Sequence, residues 1–162
     1  LDAINRCHSA EETRCIIRAS EGRGLHLGGR LVLRLPGDDQ DTIISFAKEV
    51  NQLPLDLLKL HHLQIVTGST MNKQYKENPD YFTLFSVNSY METLLKFMEQ
   101  LSPDTVIERF TAEAPADILV APKWGLKNFE FTEKFEQYMI RNNSWQGKLF
   151  KKAKPLKAGH LD

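Results

Sequence analysis

Cysteine is scarce in this sequence: Cys7 and Cys15 are the only two in 162 residues. Two thiols build no disulfide framework, and they lack the close Cys-x-x-Cys spacing of a zinc or iron-sulfur site. A reduced, cytoplasmic setting is the expectation. Net charge is also missing, because 21 Lys and Arg balance 21 Asp and Glu. A neutral chain generates no overall field to draw in nucleic acid, membrane or acidic ligands, so charge must act locally. No apolar run approaches the ~20 residues that cross a bilayer, and Leu1 to His8 has neither a basic leader nor an apolar core. Neither membrane insertion nor secretion is expected. What the chain does have is 41% hydrophobic residues, enough for one domain around a single core.

Ser9 followed by Glu12 is a capping box, and it predicts a helix from about Ala10 to Glu21 with Ile16, Ile17 and Ala19 on one apolar face. Gly22 and Gly24 end it. Leu25 to Leu35 reads as a strand closed by Pro36-Gly37. Asp38, Asp39 and Asp41 favour a helix N-terminus, with Ile43, Ile44, Ala47 and Val50 along one side and Asn51 to Pro54 as the stop. A second strand runs through Asp56 to Ser69, completing a βαβ unit of the kind that builds barrels and doubly wound sheets. After Gly68 the pattern no longer reads as repeated β/α units. It predicts a short helix near Thr70 to Lys76 and a long helix capped by Ser86, with Tyr90, Met91, Leu94, Leu95, Met98 and Leu101 inward. A strand at Thr105 to Phe110, an apolar segment at Ile118 to Ala121 and a helix at Phe129 to Arg141 follow. The end from Lys148, with Lys151, Lys152, Lys154 and Lys157 close behind, is expected to fray. Two or three strands cannot close a barrel, which takes about eight. Strand Leu25 to Leu35 should therefore expose an unpaired edge, and the chain reads as part of something larger.

The second strand places polar side chains among apolar ones. By alternation, Leu58 and Leu60 lie under a covering helix while Lys59 and His61 point the other way, into a lumen. Lys59 and His61 are therefore the candidate catalytic pair, the competing reading being lumen residues bonded to carboxylates on further strands. Arg30 shares the face of Val32 and Arg34, and would anchor an anionic group or make a structural ion pair. Adjacent His61 and His62 face opposite ways and cannot chelate one ion, so no metal site is expected here. His8 and His26 read as loop or packing residues. Trp124, Phe129, Phe131, Phe135 and Tyr138 have the spacing of a helix core rather than of a base-stacking surface. Arg109 and the lysine-rich end carry the argument for RNA, against which stands an ordinary solvated tail.

The strings Asn5-Arg6-Cys7-His8-Ser9, Leu31-Val32-Leu33-Arg34-Leu35-Pro36-Gly37-Asp38, Leu58-Lys59-Leu60-His61, Gly68-Ser69, Ala121-Pro122-Lys123-Trp124-Gly125 and Trp145-Gln146-Gly147-Lys148 together resemble the C-terminal half of a radical S-adenosylmethionine (radical SAM) family. It is the bacterial family similar to the catalytic subunit of Elongator. The resemblance implies an α/β fold, the C-terminal part of a partial (β/α) radical SAM barrel with a mostly helical C-terminal extension. Residues 1–69 would be the last β/α units, 70–147 the extension and 148–162 a basic tail. It further implies S-adenosylmethionine (SAM) and a 4Fe-4S cluster as cofactors, and a reductant such as flavodoxin or ferredoxin for the whole enzyme. The cluster ligands would sit in a three-cysteine loop earlier than this chain, since Cys7 and Cys15 cannot stand in for three close thiolates. Residue by residue, Val32 matches the apolar position that packs on the SAM adenine, and Leu63, Gln64 and Ile65 match the segment whose backbone faces the adenine edge. Arg34 departs from the family's small residue, often Gly, and Asp38 replaces a more common Glu. The implied function is part of an enzyme that reductively cleaves SAM to start radical chemistry on an unknown substrate. Lys59 and His61 would be catalytic, Arg30 and Arg109 would bind substrate, and the isolated chain would be inactive. Two other readings stand beside it: an RNA- or partner-binding accessory module without catalysis, and a β/α enzyme using Lys59 as a Schiff-base amine.

Overall fold

Three parallel strands organise the computed structural model, which describes residues 9–151. They are β1 (Gly28–Leu33), β2 (Leu57–His62) and β4 (Val106–Arg109), in the order β1-β2-β4. Asp56 sets the start of the β1–β2 pairing, because its carboxylate accepts the Leu27 N–H at 2.7 Å just before both strands begin. Parallel neighbours need a crossover, and the first is α2 (Gln40–Val50), whose N-cap Asp39 accepts the Thr42 N–H. The second is α4 (Val87–Gln100), capped by Ser86 as expected, which returns the chain to β4. The expectation that β/α repetition stops after Gly68 is thus corrected. The signal was hidden because residues 63–86 intervene between β2 and its helix.

Alternation assigns the two faces of the sheet. Leu33, Leu58 and Leu60 are fully buried with Ile43 and Ala47 of α2, Tyr90, Leu94 and Phe97 of α4, and Phe131 and Phe135 of α5 (Asn128–Arg141). Asn51 locks two of these helices together: its side chain donates to Gln100 O at 2.8 Å and accepts the Ser102 N–H at 2.7 Å. The opposite face carries Arg30, Val32, Lys59 and His61; Arg30 is exposed, and only at the C-terminal end does Val32 pack against a second apolar cluster that includes Met71 and Tyr75. Parallel sheets are ordinarily covered on both sides. One covered and one open face is the geometry of a barrel wall seen without its remaining strands.

The strand expected over Asp56 to Ser69 stops at His62. His62 and Leu63 are both buried, His62 in the helix-side core and Leu63 in a second apolar cluster with Ile65 and Phe82. Strand β3 (Ile65–Val66) then pairs antiparallel with β5 (Leu119–Ala121) in a separate two-stranded sheet. Two opposed cores claim consecutive residues, so the chain leaves the parallel sheet there. Helix α3 (Thr70–Glu77) and a 3-10 turn at Pro79–Tyr81 complete this second unit.

Two further expectations change. Helix α1 (Ala10–Ala19) has its capping box, but no residue of it is buried and Ile16 is 67% exposed. Its described tether to the core is the Arg14–Glu49 pair at 2.7 Å. Lys148 is held rather than frayed, donating to Asn143 O at 2.8 Å and lying 3.5 Å from Glu99, while Leu149 N–H reaches Glu99 O. The Asn5 to His8 motif, Cys7 and the lysines from Lys152 onward lie outside the described residues.

Strands β1 and β4 each present an outer edge with no partner strand among the described residues. Such edges template pairing between copies. The chain is expected to self-associate with rising concentration in analytical ultracentrifugation, and Arg30→Pro, which removes an N–H from the β1 edge, should shift the population toward monomer. A monomer at every concentration would contradict this.

Candidate functional site

The open face is built in rows. Register places Arg30 beside Lys59 and Lys59 beside Arg109, so three cations from three consecutive strands share one row. One step nearer the C-terminal ends, Val32 stands beside His61. A register shift after Leu58 brings Glu108 against the same row, where its carboxylate pairs with Lys59 at 2.8 Å. Arg30 and Arg109 have no ion-pair partner among the described residues, and both raise the local potential at His61. Burial first, then the charges of Arg30, Arg109 and Lys59, hold the His61 imidazole below its usual range. His61 Nε2 is shielded from solvent and has no hydrogen-bond partner among the described residues.

At the C-terminal end of this face, Val32 packs on the second apolar cluster with Leu63, Ile65 and Phe82. The three apolar residues matched to the adenine region are therefore brought together. Their availability differs. Leu63 and Ile65 are buried at 6% and 0% exposure, so their side chains are already occupied by packing, whereas Val32 is half-buried. The Gln64 side chain is also committed: its amide donates to Ala112 O at 3.3 Å, accepts Ala114 N–H at 3.1 Å and reaches His62 Nε2 at 3.2 Å. Contact between this segment and a ligand would fall to main-chain atoms.

Arg34 leaves the face that alternation assigned to it. Its φ is +71°, a left-handed conformation that costs a side-chain-bearing residue roughly 1–2 kcal/mol and glycine almost nothing. That backbone requirement accounts for a small residue in the resembling family. Here the guanidinium donates from Nε to Thr83 O at 3.1 Å and lies 4.9 Å over the Phe85 ring, away from Arg30 and Lys59. Asp38 caps the same turn by accepting the Leu35 N–H at 3.0 Å, and burial raises its carboxyl above the ordinary range.

His62 behaves as its parity requires. It stacks on Trp124 at 3.8 Å between ring centroids and meets Tyr90 edge-on at 5.5 Å, deep in the helix-side core. His26 is a loop residue, 89% exposed and 3.8 Å from Asp56. The expected aromatic set divides: Phe131 and Phe135 are fully buried, Trp124 and Tyr138 pack against the core, and Phe129 is 72% exposed. Lys148 is not brought to Arg109, since it is tied to the end of α4 that leads into the start of β4, and the lysines from Lys152 onward lie outside the described residues. Two features escaped the sequence reading. Glu108 as the partner of Lys59 was legible only as opposite charges on strands not yet known to be neighbours. The His62–Gln64 contact had no signal beyond an i, i+2 polar pair.

Among the described residues no three His, Cys, Asp or Glu side chains gather into a metal-holding group, and Cys15 is exposed and alone. The side chains present do not fit a 4Fe-4S cluster, and no step through one is derived from them. No helix among the described residues is long and apolar enough to cross a membrane.

Comparison with known proteins agrees with this geometry. An uncharacterized protein of Methanocaldococcus jannaschii, MJ0486, is 28% identical over 93% of this chain and 46% of its own length. YtqA of Bacillus subtilis is 25% identical over 92% of this chain and 46% of its own, and YhcC of Escherichia coli K12 is 28% identical over 76% and 40%. The chain thus spans about half the length of the curated relatives it matches. The structure of archaeal Methanocaldococcus infernus Elp3 lacking residues 1–46 superposes with a TM-score of 0.77 at 18% identity, over 90% of this chain and 34% of that one, a likeness of fold. The Radical_SAM C-terminal domain profile matches residues 55–141. With parallel strands, one open face and more than half of its length matched, this chain belongs to the radical SAM C-terminal domain family.

Proposed function

We propose that this chain is the C-terminal portion of a cytoplasmic radical SAM enzyme, and that its open sheet face forms part of the reaction chamber. The observation that carries the reading is the position of Val32. It belongs to the polar face, beside His61, and equally to the apolar cluster at the strands' C-terminal ends. An adenine lying on Val32 would then sit next to a chamber wall made of Lys59 and His61. When bound, SAM and its cluster supply a carbon-centred radical; the cluster ligands belong to sequence upstream of these residues.

The contributions of this chain's own residues follow from the geometry. Val32 offers apolar contact, and residues 63–65 offer main-chain groups held rigid by the Gln64 side chain. Lys59 is oriented by its ion pair with Glu108, which suits it to hold a substrate and disfavours the Schiff-base alternative, a role that needs a free desolvated amine. His61, held below its usual range by burial and by the three neighbouring cations, is the group on this wall suited to accept a proton.

The test joins the 162 residues to their upstream sequence, reconstitutes the cluster and supplies a flavodoxin- or ferredoxin-type reductant. The joined protein should release 5'-deoxyadenosine from SAM, and the chain alone should release none. Val32→Asp should weaken SAM binding about tenfold or more by burying a carboxylate against the adenine. An upstream sequence without a three-cysteine loop, or SAM turnover indifferent to Val32→Asp, would overturn the reading.

A further inference from the structure

We propose that the Arg30–Lys59–Arg109 row is a subsite for a doubly charged oxyanion on the substrate, with His61 as the neighbouring group whose protonation responds to it. The inference rests on reading the open face as a substrate chamber, and it names the class of molecule that the chamber takes.

Three cations in register on adjacent strands are an unfavourable arrangement by themselves. Neighbouring strands stand about 4.8 Å apart, and like charges directly opposite one another destabilise a sheet. Only Lys59 is compensated, by Glu108 at 2.8 Å. Among the described residues, and with Glu108 included, the row keeps two uncompensated positive charges, both on guanidinium groups. Guanidinium is the side chain whose fork of donors matches phosphate and carboxylate oxygens. A dianion would neutralise the row. A monoanion would leave one arginine unmatched.

His61 supplies the second, independent indication. Its Nε2 atom is shielded, stands one row from the cations and has no hydrogen-bond partner among the described residues. A buried ring nitrogen without a partner is unfavourable. A bound oxyanion placed over the row would lie beside the His61 ring and favour its protonated form. Two sources share this chemistry, a phosphate monoester and a dicarboxylate.

The experiment follows the His61 ring resonances by NMR in the 162-residue chain while inorganic phosphate, succinate or dimethyl phosphate is added. Phosphate should give a saturable shift and raise the pH midpoint of His61. Dimethyl phosphate, a monoanion of similar shape, should bind about tenfold more weakly or worse. Arg30→Gln with Arg109→Gln should abolish the phosphate effect, Arg30→Lys should restore part of it, and Lys148→Gln should leave it unchanged. A saturable response to succinate stronger than to phosphate, with the same dependence on the two arginines, assigns the subsite to dicarboxylates. Equal weak responses to all three anions, or binding that survives the double substitution, overturn the proposal. No SAM or cluster takes part, so failure here leaves the SAM-cleavage test standing, and failure of SAM cleavage leaves this measurement intact.

Discussion

Tyr90→Ala is expected to remove about 4–5 kcal/mol of stability, a large fraction of the ~5–15 kcal/mol typical of a domain. This side chain joins several parts of the core. Tyr90 is fully buried, with ring centroids 5.1 Å from Phe85, 5.3 Å from Trp124, 5.4 Å from Phe131 and 5.5 Å from His62. Its truncation opens a void where α4, α5, the β2 terminus and the 122–126 segment meet. The phenol adds a separate contribution, because it donates to Phe110 O at 2.7 Å where β4 ends, and burial pushes its ionisation well above the usual range. Tyr90→Phe keeps the ring contacts and leaves that carbonyl short of a donor. Its expected cost is about 1–2 kcal/mol. Urea denaturation followed by circular dichroism separates the two, and the ordering decides the argument. If Tyr90→Phe cost as much as Tyr90→Ala, the hydrogen bond rather than ring packing would hold this junction.

The helices of the fold were legible because their signals are local. Ser9, Asp39 and Ser86 each accept a backbone N–H at the helix start they announce, and the apolar positions of α2 and α4 recur at helical spacing. The faces of β1 and β2 were legible for a similar reason, since alternation needs only the strand itself. Arg30, Val32, Lys59 and His61 do share one face. What depended on distant chain was hidden. The break after His62 arises because Leu63 and His62 are drawn into different cores, and nothing near them in sequence announces Phe82 or Trp124. Glu108 meets Lys59 only through a register shift between β2 and β4. The path of Arg34 was missed because a positive φ on a non-glycine residue has no local signature.

Acidification from pH 7 to about 4.5 is expected to destabilise the protein by about 3 kcal/mol through His62 alone. His62 is 2% exposed, and burial, with a smaller contribution from neighbouring His61, lowers its pKa from 6.5 to about 3. Among the described residues its only polar contact is the Gln64 amide at Nε2 and Nδ1 has no partner, while Trp124 stacks on the ring and Tyr90 meets it edge-on. The sign follows from which state binds the proton first. Between pH 6.5 and 3 the unfolded chain is protonated at this position and the folded chain is not, so each unit of falling pH favours unfolding by about 1.4 kcal/mol. The stabilisation is whole above pH 6.5 and disappears as pH falls through that window. His61, lowered in the same direction, adds to the loss, while Asp38, whose carboxyl is raised, opposes it. His62→Phe retains an aromatic ring against Trp124 and leaves the Gln64 amide bonded to Ala112 O. Its stability should change less than half as much between the two pH values as that of the parent chain, measured by urea titration at each. An unchanged pH slope in His62→Phe would move the acid sensitivity to the carboxylates and remove His62 from the account.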